Sequence, residues 1–506
     1  MNSKKVRNYQ IVDFQKLTLC YFSKLKDPKF PGAKVFGLLF GPLLFALIIL
    51  FSPEDLLNPN AWKVIGVAAW MITWWITEAA PIAVTALLPI VLFPLTGVFT
   101  VDEATAPYAN KIIFLFMGGF LLGLGMERHN LHKRIALNLI KLTGTNPNGI
   151  ILGFMLTTAF ISMWISNTAT TVMMLPIALS ITNLLGVEGT EDKAKRRFGL
   201  GMMLGVAYAA NIGGTATIIG TPPNVAWVGF MSDMLGYEIT FAKYLLVGVP
   251  VCIIMLTITY FLITRVLYPS RIGNLTESAD VIDNQLKSLG KISLAEKRVA
   301  LIFVLTASTW ILRGTINNIL DSNLLNDSVI AIAGGILMFI TPVNLKKAEF
   351  LLEWNYTSKL PWGILLLFGG GLTLAKAMEK ASIVQVIGES IAGDGNINTI
   401  LLIAGLTAFM LFMTELMSNV ALTVIFVPVV IGISQSLGIN PMYLTLPVTL
   451  SASYAFMMPI STPPNAIVFS SGMIRIKDMM RAGIFLNIIA IILLVLLSQT
   501  LLPLVY

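Results

Sequence analysis

The sequence predicts an all-α polytopic membrane protein of eleven transmembrane helices, arranged as two inverted-topology repeats, each with a re-entrant hairpin and a broken helix. Three observations lead there. The composition is too apolar for a water-soluble fold, apolar runs of bilayer length fill the chain, and paired polar motifs recur at near-constant offsets. Of 506 residues, 56% are hydrophobic and 12% charged, against about 25% charged in soluble proteins. This excludes a cytosolic enzyme, a disordered chain and a nucleic-acid binder, and makes the lipid bilayer the first partner. The 34 basic and 26 acidic residues leave a net charge of +8, expected in cytoplasmic loops rather than in a nucleic-acid groove.

Residues 1–35 are polar and hold Lys4, Lys5, Arg7, Lys16, Lys24, Lys26, Lys29 and Lys34. They read as a cytoplasmic N-terminal segment without a cleavable signal, so the chain is expected to insert through its first membrane helix. The two cysteines, Cys20 and Cys252, exclude a disulfide framework.

Runs of about 20 apolar residues cross a bilayer. They fall near 36–52, 61–77, 82–98, 111–127, 198–230, 242–267, 296–316, 327–343, 361–378, 442–471 and 480–503. Two further apolar regions, 149–186 and 399–434, are interrupted by Ser166-Asn167-Thr168 and Ser418-Asn419-Val420. Loop charge decides how these two cross. If each enters and leaves on one face, Arg128, Lys133, Arg134, Lys193 to Arg197, Arg265 to Arg298, Lys346, Lys347 and Arg475 to Arg481 all lie inside. Re-entrant hairpins therefore fit, with the N-terminus cytoplasmic and the C-terminus extracellular in the plasma membrane. Irregular backbone at membrane depth is tolerated only where protein or a water-filled cavity covers it.

The halves match. Leu115-Phe116, Gly118-Gly119, Met126-Glu127, Ser166-Asn167 and Pro176 recur 252 residues later, and Thr221-Pro222-Pro223-Asn224 recurs 241 residues later as Thr462-Pro463-Pro464-Asn465. The expected organisation is thus 36–267 for the first helix plus repeat one (hairpin 149–186, broken helix 198–230), a cytoplasmic linker at 268–295, and repeat two at 296–506 (hairpin 399–434, broken helix 442–471). An odd number of spans per repeat inverts the second, an arrangement of transporters whose substrate sits where broken helices meet.

Ser, Asn and Thr at a helix N-terminus present neutral donors beside the positive end of the helix dipole, which suits an anion. Two such clamps suit an anion with two heads, such as a small dicarboxylate. The alternative is that Ser and Asn only turn the chain. In the Thr-Pro-Pro segments proline blocks helix continuation. With Gly213, Gly214 and Gly220 nearby, carbonyls of that break can ligate a cation and Thr221 can donate to substrate. Glu415, three residues before Ser418, reads as a proton or cation handle, or as a partner for neighbouring amides. No Lys or Arg is near either Ser-Asn pair, so substrate charge must be met by dipoles, a co-bound cation or exchange for another anion. His129 and His132 lack further ligands for a metal site. No nucleophile, P-loop or metalloenzyme motif is present, and no enzyme is expected. Trp62, Trp70, Trp74 and Trp75 read as interface anchors or helix packing.

These paired motifs and the eleven spans resemble the divalent anion:sodium symporter family, the INDY-type dicarboxylate transporters, from about residue 36 to 506. The resemblance implies a homodimer whose protomers have a scaffold and an elevator-like transport domain. It implies secondary transport of C4/C5 dicarboxylates of the succinate, malate, fumarate and 2-oxoglutarate class. The substrate residues it implies are Ser166, Asn167, Thr168, Thr221, Pro222, Ser418, Asn419, Val420, Thr462 and Pro463, with no catalytic or resident metal site. Sodium-coupled members place cations beside each tip. The matching positions are Ser162, Ser166, Asn167 and Gly220, then Thr414, Met417, Asn419 and Ser461. The second tip has Val420 in place of Thr, and Met417 and Ser461 replace small residues. These departures favour a sodium-free dicarboxylate exchanger. Sodium-coupled symport is the alternative, followed by transport of another divalent anion such as sulfate.

Overall fold

The computed structural model describes residues 32–53, 57–187, 192–270, 272–273, 276–392 and 398–506. The basic stretch from Met1 to Pro31 lies outside them. The chain is mostly helical, and among the described residues the strands are limited to the small antiparallel pair β1 (Pro342–Asn344) and β2 (Glu349–Phe350).

The first half runs α1 (Gly32–Leu50), α2 (Pro59–Thr77), α3 (Ile82–Thr85), α4 (Leu88–Thr96), α5 (Val101–Thr105), α6 (Lys111–Arg128) and α7 (Leu131–Leu142). A helix pair follows, α8 (Pro147–Ser162) and α9 (Asn167–Leu184), and then α10 (Lys193–Gly214), α11 (Pro222–Leu235) and α12 (Phe241–Phe261). The segment read as a linker contains a helix, α13 (Thr276–Ser288). Beyond it come α14 (Leu294–Ile319), α15 (Asp327–Ile340), α16 (Trp362–Lys380), α17 (Ile383–Ala392), the second pair α18 (Thr399–Thr414) and α19 (Asn419–Ser436), then α20 (Pro441–Ala452), α21 (Pro463–Phe469), α22 (Ile476–Thr500) and α23 (Leu502–Val505).

Six segments among the described residues are long and apolar enough to cross a membrane by themselves: Gly32–Leu50, Val101–Arg128, Phe241–Leu267, Leu294–Ile319, Asn419–Ser436 and Ile476–Val505. The run expected at 82–98 is split instead into α3 and α4, where Pro81 and Pro89 flank the short first piece. Proline lacks the N–H that would continue the ladder.

The two helix pairs share one design. Both arms of the first pair reappear 252 residues later with the same bounds, and Pro176 and Pro428 occupy matching places inside the second arms. Between the arms the turn ends on a serine. Ser166 caps α9 by accepting from the Ala169 N–H at 3.2 Å, and Ser418 caps α19 by accepting from the Ala421 N–H at 3.5 Å. Serine is a favoured N-cap because its oxygen satisfies an orphan backbone donor.

The predicted breaks are present. α10 stops at Gly214 and α11 starts at Pro222, while α20 stops at Ala452 and α21 starts at Pro463. Each restart carries two prolines at its first positions, where a missing N–H costs nothing. α10 is buried without interruption from Phe198 to Gly214. Its small residues admit α8 closely: a Cβ on Gly213 would lie 2.3 Å from the Ala159 carbonyl oxygen. Such small-residue contacts let helices associate where hydrophobicity alone gives no drive. A second close crossing joins α6 to α15, where a Cβ on Gly118 would lie 2.5 Å from the Ala331 carbonyl carbon.

Side-chain hydrogen bonds tie the halves together. Trp227 Nε1 donates to Thr445 Oγ1 at 2.8 Å, and the buried Tyr208 hydroxyl donates to the Phe456 carbonyl at 2.8 Å. At the membrane ends the ties are ionic. Arg134 bonds Glu296 at 2.6 Å and also donates to the Leu289 and Gly290 carbonyls, which pins the chain after α13 to α7. Lys141 pairs with Asp283 at 2.7 Å and fastens α13 itself.

Candidate functional site

Both serine-capped tips and both proline restarts face one cavity of about 880 Å³. All ten substrate positions expected from the sequence line it: Ser166, Asn167, Thr168, Thr221, Pro222, Ser418, Asn419, Val420, Thr462 and Pro463. Phe116, Phe120, Gly123 and Leu124 of α6 supply much of the opposite wall. From the tips the cavity extends to Lys34, Glu78, Glu127 and Lys359. There Lys34 approaches Glu78 at 3.8 Å and Lys359 approaches Glu127 at 3.7 Å. The basic groups of the cavity are therefore at its mouth, each beside a carboxylate. Among the described residues, the lining between the tips holds hydroxyls, amides and helix ends, with no basic side chain.

The tips are built alike. Ser162 Oγ lies 2.6 Å from Asn167 Oδ1 and 2.8 Å from the Ala210 carbonyl oxygen. At the second tip, Thr414 Oγ1 lies 2.7 Å from Asn419 Oδ1 and 2.8 Å from the Ala452 carbonyl oxygen. One hydroxyl proton faces two acceptor oxygens in each case, a local surplus of acceptors over that donor. A hard cation favours such an oxygen set. Of the other positions matched to cation sites, Gly220, Met417 and Ser461 line the cavity.

Close backbone approach makes the first tip possible. A Cβ on Gly214 would lie 2.4 Å from Asn167 Oδ1, and one on Gly220 would lie 2.4 Å from the Gly214 carbonyl oxygen. The second repeat has Ala455 and Ser461 at the 241-residue offset from these glycines, so its break is laid out differently.

The two restart threonines also differ. Thr221 makes no capping bond, which leaves its hydroxyl to the cavity. Thr462 Oγ1 accepts from the Asn465 N–H at 3.3 Å and from Asn211 Nδ2 at 3.1 Å, so its own proton remains to donate. Asn211 also lines the cavity, and the sequence reading missed it. The available signal was an amide in the small-residue run Ala209-Ala210-Asn211-Ile212-Gly213-Gly214. Its Nδ2 also approaches Asn465 Oδ1 at 3.4 Å, joining the two repeats at the site.

Carbonyls of the first break were expected to be open for a cation. Several are instead engaged by the asparagine of the Thr-Pro-Pro-Asn segment. Asn224 Nδ2 donates to the Thr217 carbonyl at 2.8 Å and reaches those of Gly214 and Thr215 at 3.4 and 3.5 Å. Asn465 Nδ2 donates likewise to the carbonyls of Ala455 and Met458, at 2.9 and 3.0 Å. These asparagines satisfy the backbone that each break exposes, as buried polar groups require. Glu415 meets amides, as one of its two readings held: the N–H groups of Phe456, Met457 and Met458 and the amide of Asn487. The two histidines sit apart in function: His129 Nε2 meets the Leu351 carbonyl at 2.8 Å and His132 Nδ1 meets that of Met126 at 3.0 Å. Trp75 lines the cavity, whereas Trp62 bonds the Pro53 carbonyl at 3.0 Å near the end of α2.

With this geometry in view, comparison with known proteins is informative. The sodium:sulfate symporter transmembrane region matches residues 33–505. The chain belongs to the sodium:sulfate symporter family. This is the divalent anion:sodium family that the paired motifs resembled. The chain is also 40% identical, over 497 residues, to the sodium-dependent dicarboxylate transporter SdcS of Staphylococcus aureus strain USA300, covering 96% of this chain and 95% of that protein. The SdcS of strain NCTC 8325 matches with the same identity and coverage. Among solved structures, the Alcanivorax borkumensis YdaH transporter superposes with a TM-score of 0.53 at 13% identity, covering 92% of this chain and 98% of that one. Neisseria gonorrhoeae MtrF, from a class of antimetabolite efflux pumps, gives 0.55 at 13% identity, with 94% and 97% covered. At that identity the likeness concerns fold alone. As a member of the sodium:sulfate symporter family, the protein is a multi-pass membrane transporter and not an enzyme.

Proposed function

We propose that this transporter carries C4/C5 dicarboxylates, coupled to sodium, through the cavity between the two tips. The observation that carries the reading is the convergence of two helix N-termini, each with a Ser-Asn pair, on one cavity without a basic side chain between them. Each helix end brings donors and about half a positive charge toward an anion. Two ends facing one space fit two carboxylates. The hydroxyls of Thr168, Thr221 and Thr462 add donors, and Val420 with Pro222 and Pro463 gives apolar wall for the carbon chain.

Sodium coupling is favoured over the exchange expected from Val420. Val420 lines the cavity, whereas the hydroxyl and amide oxygen paired at the second tip belong to Thr414 and Asn419, so valine in place of threonine at 420 removes neither. The surplus of acceptors at Ser162 and at Thr414 supports a cation beside each tip. Cations there offset the substrate charge that the cavity leaves unbalanced, and the relative SdcS is named sodium-dependent.

The same reading includes eleven crossings, inverted repeats, a homodimer, and a transport domain of the two hairpins and two broken helices that moves as an elevator. The cavity mouth carries Lys34 and Lys359, on the face that the positive-inside rule assigns to the cytoplasm, so this conformation faces inward. Uptake of labelled succinate into proteoliposomes tests the proposal. Sodium-dependent uptake that malate and 2-oxoglutarate compete for supports it. Uptake that ignores sodium but requires internal dicarboxylate replaces it with exchange, and competition by sulfate alone replaces the substrate class.

A further inference from the structure

Glu415 is a buried carboxylate with an unusual set of partners. Its Oε1 accepts from the N–H groups of Phe456 and Met457 at 2.8 and 2.9 Å and from Asn487 Nδ2 at 2.8 Å. Its Oε2 accepts from the Met458 N–H at 3.2 Å and from Ser461 Oγ at 2.6 Å. The Ser461 hydroxyl also lies 3.0 Å from the Glu415 carbonyl oxygen. All five groups facing the carboxylate are donors and none is charged. A protonated acid would turn its own O–H against one of them, so an ionised, acceptor-only carboxylate fits the set. Successive backbone N–H groups form a concavity of the kind that holds anions.

The first repeat has no counterpart charge. The residue 252 positions before Glu415 is Met163. There the clasp between tip and break is made by Thr217 Oγ1, which donates to the Met163 carbonyl at 2.6 Å. Thr217 corresponds, at the 241-residue offset, to Met458, whose N–H bonds Glu415. The two repeats thus close the same joint with different chemistry, and the second adds one negative charge. That charge neighbours Thr414 in the chain and accepts from Ser461, one of the positions matched to the second cation site.

We propose that Glu415 is a positioning residue that holds the 453–461 turn against the second tip and, through its fixed negative charge, raises that tip's affinity for a cation. The inference rests on the sodium-coupled reading above. An ionised carboxylate held only by neutral donors in a low-dielectric interior has a charge left to balance, and a neighbouring cation balances it.

Two readouts on purified full-length protein test it: stabilisation against heat as sodium replaces choline, and sodium-dependent succinate uptake in proteoliposomes. For Glu415→Gln, the sodium concentration for half-maximal effect rises about tenfold or more in both assays. The succinate KM at saturating sodium stays within about twofold. Glu415→Asp, which keeps the charge, recovers most of the sodium affinity. Asn487→Leu removes one donor but leaves the charge, so it does not weaken sodium binding; a rise matching that of Glu415→Gln assigns the effect to lost scaffolding and overturns the charge role. If Glu415→Gln fails to assemble, a half-maximal sodium concentration raised about tenfold in Asn487→Leu overturns the charge role, and values near the native one in both Asn487→Leu and Glu415→Asp support it. Sodium sensitivity in the native protein with an unchanged half-maximal concentration in Glu415→Gln overturns the inference alone. A native protein insensitive to sodium in both assays overturns the sodium-coupled reading and the inference with it.

Discussion

Asn167 and Asn419 do the same work at the two tips. Each starts a helix and turns its amide oxygen onto a hydroxyl of the preceding arm, at 2.6 and 2.7 Å. Replacing either with Ala removes a donor to substrate and an oxygen from the proposed cation set. Asn167→Ala and Asn419→Ala are each expected to lower succinate uptake about 100-fold or more, with the protein still eluting as an assembled species; normal uptake by either variant removes that tip from the site. Asn211→Ala deletes the amide that links the repeats at Thr462 and Asn465. It should raise the succinate KM about tenfold, read by uptake at saturating sodium. The Ser-Asn pairs were legible because short polar residues interrupt an apolar run. Asn211 was not, because its partners lie 251 and 254 residues away and no local pattern announces them. The bonds of the restart asparagines Asn224 and Asn465 were not legible for a related reason: they run backward across a break whose path only the folded chain defines.

At the scale of elements, the hairpins expected at 149–186 and 399–434 correspond to helix pairs over 147–184 and 399–436. The match is close because capping chemistry is local: Asn146 and Asn398 cap the first arms, and Ser166 and Ser418 the second. The helix inside the linker was not read, since most of its residues are polar and its fastening comes from Lys141 and Asp283, far apart in sequence. Gly214 gives a sharp element-scale test. Glycine to alanine in a helix ordinarily gains up to about 1 kcal/mol. Here the added methyl meets Asn167 Oδ1 at 2.4 Å. Gly214→Ala should therefore cut uptake about tenfold or more despite its better helix propensity. An uptake equal to that of the native protein would show that the first break yields freely.

Across the whole molecule, low charge content first indicated only a membrane protein. Among the described residues, charged pairs lie at helix ends and at the cavity mouth, such as Lys359 with Glu127 and Arg134 with Glu296, whereas Glu415 is buried. Between the tips the described cavity lining has no cationic side chain. The proposed orientation rests on the positive-inside rule, and it is testable. In a chain with Cys20 and Cys252 replaced by serine, Thr168→Cys should react with a membrane-impermeant thiol reagent added on the side of the basic loops, and succinate with sodium should slow the reaction. Labelling only from the opposite face would reverse the assigned orientation or conformation.

The two tips are proposed to bind one dicarboxylate together with sodium. The decisive measurement is succinate uptake into proteoliposomes driven by an inward sodium gradient with no dicarboxylate inside. Concentrative uptake that collapses when choline replaces sodium is expected. Uptake that is indifferent to sodium and appears only when the vesicles are preloaded with dicarboxylate would overturn the proposal.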